Sequence, residues 1–572
     1  MDKIMHSSRK LPFYCLFIFL FILSPGNDIF GQKPLKNKIF KDKILKSVTE
    51  KDQERERQKE KEEENKKDSK PVILKKQVAK PQLPSKPQAQ STTQTKGETT
   101  QVQFKAINMR MDKNLGNGAK RLLGDVVFTH EGVVMYCDSA YFYSEENSLD
   151  AFSNVYITQG DTLHLYGDFL HYDGNTKQAK IKHNVKLING DITLTTQELD
   201  YNMEDGVGYY THYAKIVNEE NTLESIYGYY YTKTDWMHFR DSIIIVNPDY
   251  TVYSDTLHYQ TEHKVAHFYG PTEIVGDSNY IYCERGWYDT KRDISELNRN
   301  ALVENKQQTL MADSIYYNRN SGFGYARKNV VLIDNDQEAI LTGERGKYYE
   351  FTEYALMTDS AVFIQITDED SVYIHADTLL SFPDTNDNKV IQAYYGVRMF
   401  KTNLQARCDS MVYTFVDSTA HLYYEPIIWN DNNQMTAEQI RMENKNKQID
   451  KMYLDKDALI IQQVDSVKFN QIKGKNMICH FKDNDLNKID VKGNGQTVYY
   501  PEDKGEIIGV NKMECSNMVI RVVDGALNNI SFLVKPSATL YPLDKAPINE
   551  LRLKGFEWLD EIRPKTMTDI FK

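Results

Sequence analysis

Cys137-Asp138-Ser139-Ala140-Tyr141-Phe142 decides the fold, because the chain keeps returning to it in altered spelling. The pattern is a small residue, Asp, often Ser or Thr, an apolar residue, and an aromatic two positions further on. It recurs as Gly167-Asp168-Phe169-Leu170-His171-Tyr172, Ser254-Asp255-Thr256-Leu257-His258-Tyr259 and Ala312-Asp313-Ser314-Ile315-Tyr316-Tyr317. Ala376-Asp377-Thr378-Leu379 and Cys408-Asp409-Ser410-Met411-Val412-Tyr413 follow, and copies at Glu198, Glu284, Glu344 and Glu438 carry Glu for Asp. The spacing is about 30 residues, a period that belongs to repeat architectures.

Between markers lies a second element, a short β-branched run often led by Asn. Examples are Asn154-Val155-Tyr156-Ile157, Asn184-Val185-Lys186-Leu187 and Asn329-Val330-Val331-Leu332, with Ser360-Ala361-Val362-Phe363 and Gly396-Val397-Arg398-Met399 as relatives. Polar turns such as Asp173-Gly174-Asn175 separate the two elements. Each unit thus holds two extended passes, and no 3.6-residue periodicity runs between 120 and 540. A unit of this kind cannot bury its apolar face alone, so neighbours must stack into a β-solenoid or a pile of antiparallel strands. The positions two and four after each Asp are expected to share one interior. The small residue before it suggests a tight corner, where the Asp-Ser/Thr pair bonds local backbone. A column of calcium ligands is the alternative, but one carboxylate per unit is sparse for an ion that needs several converging oxygens.

Composition agrees with a β protein. Aromatic residues make up 12 %, with 38 Tyr, and Tyr favours strands. The charge is uneven: residues 1–100 hold 22 Lys and Arg against 13 Asp and Glu, so the remainder, with net −11 overall, stands at −20. An acidic body argues against nucleic acid as a partner. Lys3, Arg9 and Lys10 precede an apolar run from Leu11 to Leu23, which is too short to span a membrane and reads as a signal peptide over 1–31. Residues 32–103 read as a disordered linker, charged and then rich in Pro and Gln. No later segment reaches spanning length, so the exported chain is expected to carry no transmembrane segment.

Motifs of catalysis are missing: no phosphate-binding loop, no His-Glu-x-x-His, no Gly-x-Ser-x-Gly. The reading is of a protein that is not an enzyme and uses no cofactor or metal. Cys137, Cys283 and Cys408 occupy the small-residue slot as fillers, while Cys479 and Cys515 lie in neighbouring late units, where sequence leaves a disulfide open.

Gly124-Asp125-Val126-Val127-Phe128, leading through Val134-Met135-Tyr136-Cys137-Asp138-Ser139-Ala140 to Asn154-Val155-Tyr156-Ile157, resembles the OstA-like (organic-solvent-tolerance), LptA-like family of periplasmic lipopolysaccharide transport. The resemblance runs from 104 to about 540 and equals about three modules in tandem, which we place at 104–260, 261–400 and 401–545. It implies an all-β fold, an elongated antiparallel jelly roll or open β-solenoid, with acyl chains held in an apolar groove. The groove candidates are Phe142, Leu170, Tyr172, Leu257, Tyr259, Ile315, Tyr317, Met411 and Tyr413. Implied partners are lipopolysaccharide or a related glycolipid, and other envelope transport proteins joined end to end by β-strand pairing. The implied location is the periplasm, with association to the outer or the inner membrane left open. In the tail, 546–572, Leu551, Phe556, Trp558, Leu559 and Ile562 suggest a short helix that caps the last edge, or a docking segment. A structural or adhesive β-solenoid without lipid transport is the competing reading.

Overall fold

In the computed structural model, residues 102–572 are described, apart from 112–118, 131, 160–162, 219–220, 337, 367–369, 446–447, 504, 524–525 and 548–550. The expected signal peptide and all but the end of the expected linker lie outside the described residues.

The described chain is almost entirely antiparallel strand. Successive strands of about 11–12 residues pair with their sequence neighbours by short turns, as Val133–Tyr143 with Ser148–Gln159, and that strand with Leu163–Asp173. The result is one 34-stranded sheet.

Each strand turns a corner midway, and burial shows where. Met135 and Cys137 face the interior, and then Ala140 and Phe142 do, so the inward positions across the corner are three apart. On the next strand the corresponding residues, Ala151 and Val155, are four apart. The extra residue is a bulge, visible as a register shift between Phe152 and Val155. Adjacent left-handed residues make the bend: Ser153 and Asn154, His183 and Asn184, Arg299 and Asn300, Lys328 and Asn329. Asn tolerates this conformation better than most residues, which explains why it leads the second element of the repeat. The repeat's acidic residue holds that Asn. Asn154 Nδ2 donates to Asp138 Oδ2 at 2.8 Å, Asn184 to Asp168 at 2.7 Å, and Asn300 to Glu284 at 2.7 Å. The carboxylate therefore clamps the neighbouring strand's corner, where the sequence suggested a bond to its own local backbone.

The small residue before the Asp has a packing reason. A Cβ added at Gly167 falls 2.5 Å from Ile181 Cγ2, and one at Gly343, before Glu344, falls 2.7 Å from Met357 Cγ. The facing strand fills the slot with its own side chain.

Because the long strands bend at the same level, the sheet folds into two arms that face each other across the interior. The interior is not uniform. One cluster of buried residues runs from Val102 to Leu199, and a long one runs from Ile281 to Val522. Small clusters lie between them, around Tyr210 and around Phe239. Here Tyr210 Oη meets Ser225 Oγ at 2.6 Å, a polar pair inside the sheet.

The tail differs from the expected helix. Beyond Ser537–Tyr541, among the described residues, only short 3-10 turns occur, at Leu543–Lys545, Asp560–Ile562 and Met567–Phe571. It also covers no edge. It crosses the outer face of one arm, where three buried glutamines receive it. Gln471 donates to Leu551 O and accepts from Leu553 N, Gln434 does the same with Glu557 O and Leu559 N, and Gln405 Oε1 accepts from Arg563 Nε. Phe556 and Trp558 pack on Phe469 with ring centroids 5.2 and 5.4 Å away. Leu551 with Leu553, and Phe556 with Trp558, share a face at a spacing of two, which is the period of extended chain. Backbone groups satisfied by glutamine amides have no need of a helix.

Cys479 and Cys515 are free thiols, as are Cys137, Cys283 and Cys408, and all five are buried. Burial pushes the thiols of Cys137, Cys283, Cys408 and Cys479 up to about 12, so they behave as apolar fillers. Among the described residues no helix is long and apolar enough to cross a membrane.

Candidate functional site

The two-arm design puts the second and fourth residues after each marker on the inner face of one arm. All nine candidate residues are there. Phe142, Leu170 and Tyr172 belong to the first cluster, Leu257 to the middle one, and Ile315 and Met411 to the last, with Tyr413 packed against it. Tyr317 is buried and Tyr259 half-buried. The β-branched second element supplies the facing arm, through Val155 and Ile157 at one end and Val330 and Leu332 further on.

At the N-terminal end the arms close on each other. Phe104, Phe128 and Phe142 form one ring cluster, with centroids 5.2–6.2 Å apart. His130 Nδ1 and Tyr172 Oη join across the gap at 2.7 Å, both residues 8 % exposed. Here the interior is filled by the protein's own side chains.

Between residues 308 and 415 it is not. A cavity with about 1000 Å³ of free space, part of it continuous with solvent, lies between the arms. Leu310, Leu332, Leu341 and Phe363 form one wall, and Met357 and Leu379 the other. The repeat itself explains the hollow. After Glu344 the second and fourth positions are Gly346 and Tyr348, and after Asp377 they are Leu379 and Ser381. Ser381 stands where most other units place an aromatic residue or Met, and Gly346, like Gly286 in the Glu284 unit, adds no side chain, so these two layers contribute little filling. None of the nine candidate residues borders the cavity. Tyr317, on the strand that carries Gln308 and Leu310, is engaged beyond the cavity: its hydroxyl donates to Glu350 Oε2 at 2.8 Å, and burial together with that carboxylate holds its pKa above the ordinary tyrosine value.

Polar groups gather where the strands end. Gln308 opens one strand and Asp334 closes the next, and Gln308 Nε2 donates to Asp334 Oδ2 at 2.8 Å. Opposite, Lys389 opens the strand Lys389–Lys401, with its ammonium 5.2 Å from the Phe415 ring centroid. Burial lowers the Lys389 pKa to about 8, against the opposing pull of Asp334 and Glu353. An apolar interior with a polar rim is suited to an amphiphile. Among the described residues no group of three or more His, Cys, Asp or Glu is placed to hold a metal ion.

Sequence reasoning looked for the site in the recurring positions and so missed Lys389, Gln308, Ser381 and Phe415. The available signal was the lapse of the pattern at Gly346 and Ser381. Leu332 and Phe363 were visible as the ends of the second element, but not as a wall.

Comparison with known proteins gives the following. Residues 100–255 and 256–367 each match the family model described as OstA-like protein. Among solved structures, the chain is similar to LptH, the LptA homologous periplasmic component of the lipopolysaccharide transport device of Pseudomonas aeruginosa, at 12 % identity. That alignment covers 23 % of this chain and 94 % of LptH, with a TM-score of 0.18. No curated protein matches.

Proposed function

Taking as premise that the chain is an OstA-like protein, with residues 100–367 matching that family's model in two stretches, we propose that it is a lipid carrier of the cell envelope. It is exported to the periplasm and holds acyl chains of lipopolysaccharide or a related glycolipid between its two arms, as part of a bridge to the outer membrane. The observation that carries this reading is the apolar cavity between residues 308 and 415, in contrast to the ring-filled layers at the N-terminal end. Burial of a lipid tail there is favourable by roughly 0.8 kcal/mol per methylene. The reading involves no catalysis.

The sheet's ends suit the bridge. Gln103–Lys105 and Asn108–Met111 each pair on one side only among the described residues, with Ala119–His130. Met109 and Met111 are exposed beside that edge. At the other end Ser537–Tyr541 pairs, among the described residues, only with Val510–Val523, and Leu540 is exposed. Such edges accept a further strand from a neighbouring protein. We keep the three modules, 104–260, 261–400 and 401–545, as the functional division of this carrier.

The filled interior at Phe104, Phe128 and Phe142 favours the second reading, a structural rod without cargo. Photo-crosslinking in envelope extracts separates the two. A photoreactive residue at Leu332 or Phe363 is expected to capture glycolipid, and one at Phe142 to capture none. Absence of lipid adducts at all three positions rejects the carrier reading.

A further inference from the structure

The cavity's rim holds two polar atoms that the protein leaves unsatisfied. Gln308 is 3 % exposed and borders the cavity, and its Oε1 has no hydrogen-bond partner. Its orientation is fixed, because Nε2 is spent on Asp334 Oδ2 at 2.8 Å; a flipped amide would set oxygen against carboxylate. Ser381 Oγ also borders the cavity, buried and without a partner. A buried acceptor with no donor is costly and rare in folded proteins. Two of them at the mouth of one apolar hollow point to a ligand that supplies the missing donor. Lys389 stands on the same rim and adds a positive charge next to an apolar floor.

Resting on the carrier reading above, we propose that the rim of this cavity is a head-group site. It takes a single acylated amphiphile whose hydroxyl or amide donates to Gln308 Oε1 and whose anionic oxygen meets Lys389, with Ser381 Oγ as an auxiliary partner. The acyl chain lies along Leu332, Leu341 and Phe363. The rim therefore selects among lipids, while the floor accepts any tail. The selection sits in the middle of the sheet and is absent from the N-terminal layers, where the arms are closed by His130 and Tyr172.

The test uses the full chain and two probes with the same acyl chain. Lysophosphatidylglycerol offers an anionic phosphate oxygen and hydroxyl donors on its head; the methyl ester of the same fatty acid offers neither. The native protein is expected to bind the first about tenfold more tightly, the scale of one charge-assisted hydrogen bond. Gln308→Leu and Lys389→Met should each shrink that preference, and together abolish it, while affinity for the methyl ester stays within about twofold. Circular dichroism checks that the variants keep their strands. Equal binding of both probes by the native protein, or a preference that survives the double substitution, overturns the head-group site and leaves the carrier reading standing. Failure of both probes to bind overturns both.

Discussion

Residues 102–199 and residues 308–415 are built from one repeat, yet the first stretch is solid and the second is hollow. Both have the same bulged corner, the same acidic clamp and the same two facing arms. They differ in what stands at a few inward positions. The solid stretch offers Phe128, Phe142 and Tyr172, with Phe104 inserted from the edge. The hollow stretch offers Gly346 and Ser381. The backbone pattern thus sets the architecture, and the side chains at a few inward positions distinguish the filled layers from the hollow ones.

The sharpest challenge to this contrast is a pair of matched deletions. Phe128→Ala removes a buried ring from close packing and should cost about 3–4 kcal/mol. Phe363→Ala removes a half-buried ring that already borders free space and should cost about 1–2 kcal/mol. Urea denaturation with hydrogen exchange, which follows the two ends separately, gives both numbers. Equal costs would show that the two stretches are packed alike.

The complementary change fills the hollow. Ser381→Phe restores the aromatic that other units carry, and Gly346→Ala is accommodated because its nearest neighbour, Met357 Cε, lies 3.4 Å from the added Cβ. The double variant should lower lipid capture from a photoreactive Leu332 about tenfold while keeping its strand content. A smaller effect tests what the stretches share. Asn184→Ala removes the donor to Asp168 and the residue best suited to the left-handed corner, for about 1 kcal/mol in a thermal melt. Asn329→Ala, in the hollow stretch, loses the equivalent bond to Asp313 and should cost the same.

A further effect is electrostatic and confined to the hollow. Burial holds the Lys389 pKa at about 8, below the roughly 10.4 of an unfolded chain. Between those values the unfolded state binds the extra proton, so folding stability rises with pH through this window. Lys389→Met should remove that rise and leave the variant more stable than the native chain at pH 7. A melting temperature that follows the native curve from pH 7 to 10 in the variant would contradict the assignment.

Much of this was legible in the sequence, because the repeat is a statement about periodicity. The inward set, including Phe142, Leu170 and Met411, follows from a spacing of two after a fixed acidic marker. The corner was legible from its small residue; its clamp was not, since Asp138 and Asn154 are sixteen positions apart and meet only through strand pairing. The hollow was hidden for another reason. A repeat is found by what recurs, and the cavity lies where recurrence lapses. The tail misled because Leu551, Phe556, Trp558, Leu559 and Ile562 are apolar among charges at spacings a helix also allows, while its true partners, Gln405, Gln434 and Gln471, carry no local mark.

Those three glutamines sit on every second strand, roughly 10 Å apart at ordinary strand spacing, and Phe571 reaches a fourth such strand beside His375, with ring centroids 5.0 Å apart. A peptide pinned at regular intervals across parallel slats works as a batten. It keeps the slats from fanning, so the layers from about 372 to 500 must flex as one board, and bending falls to the layers before them, where no such brace crosses among the described residues.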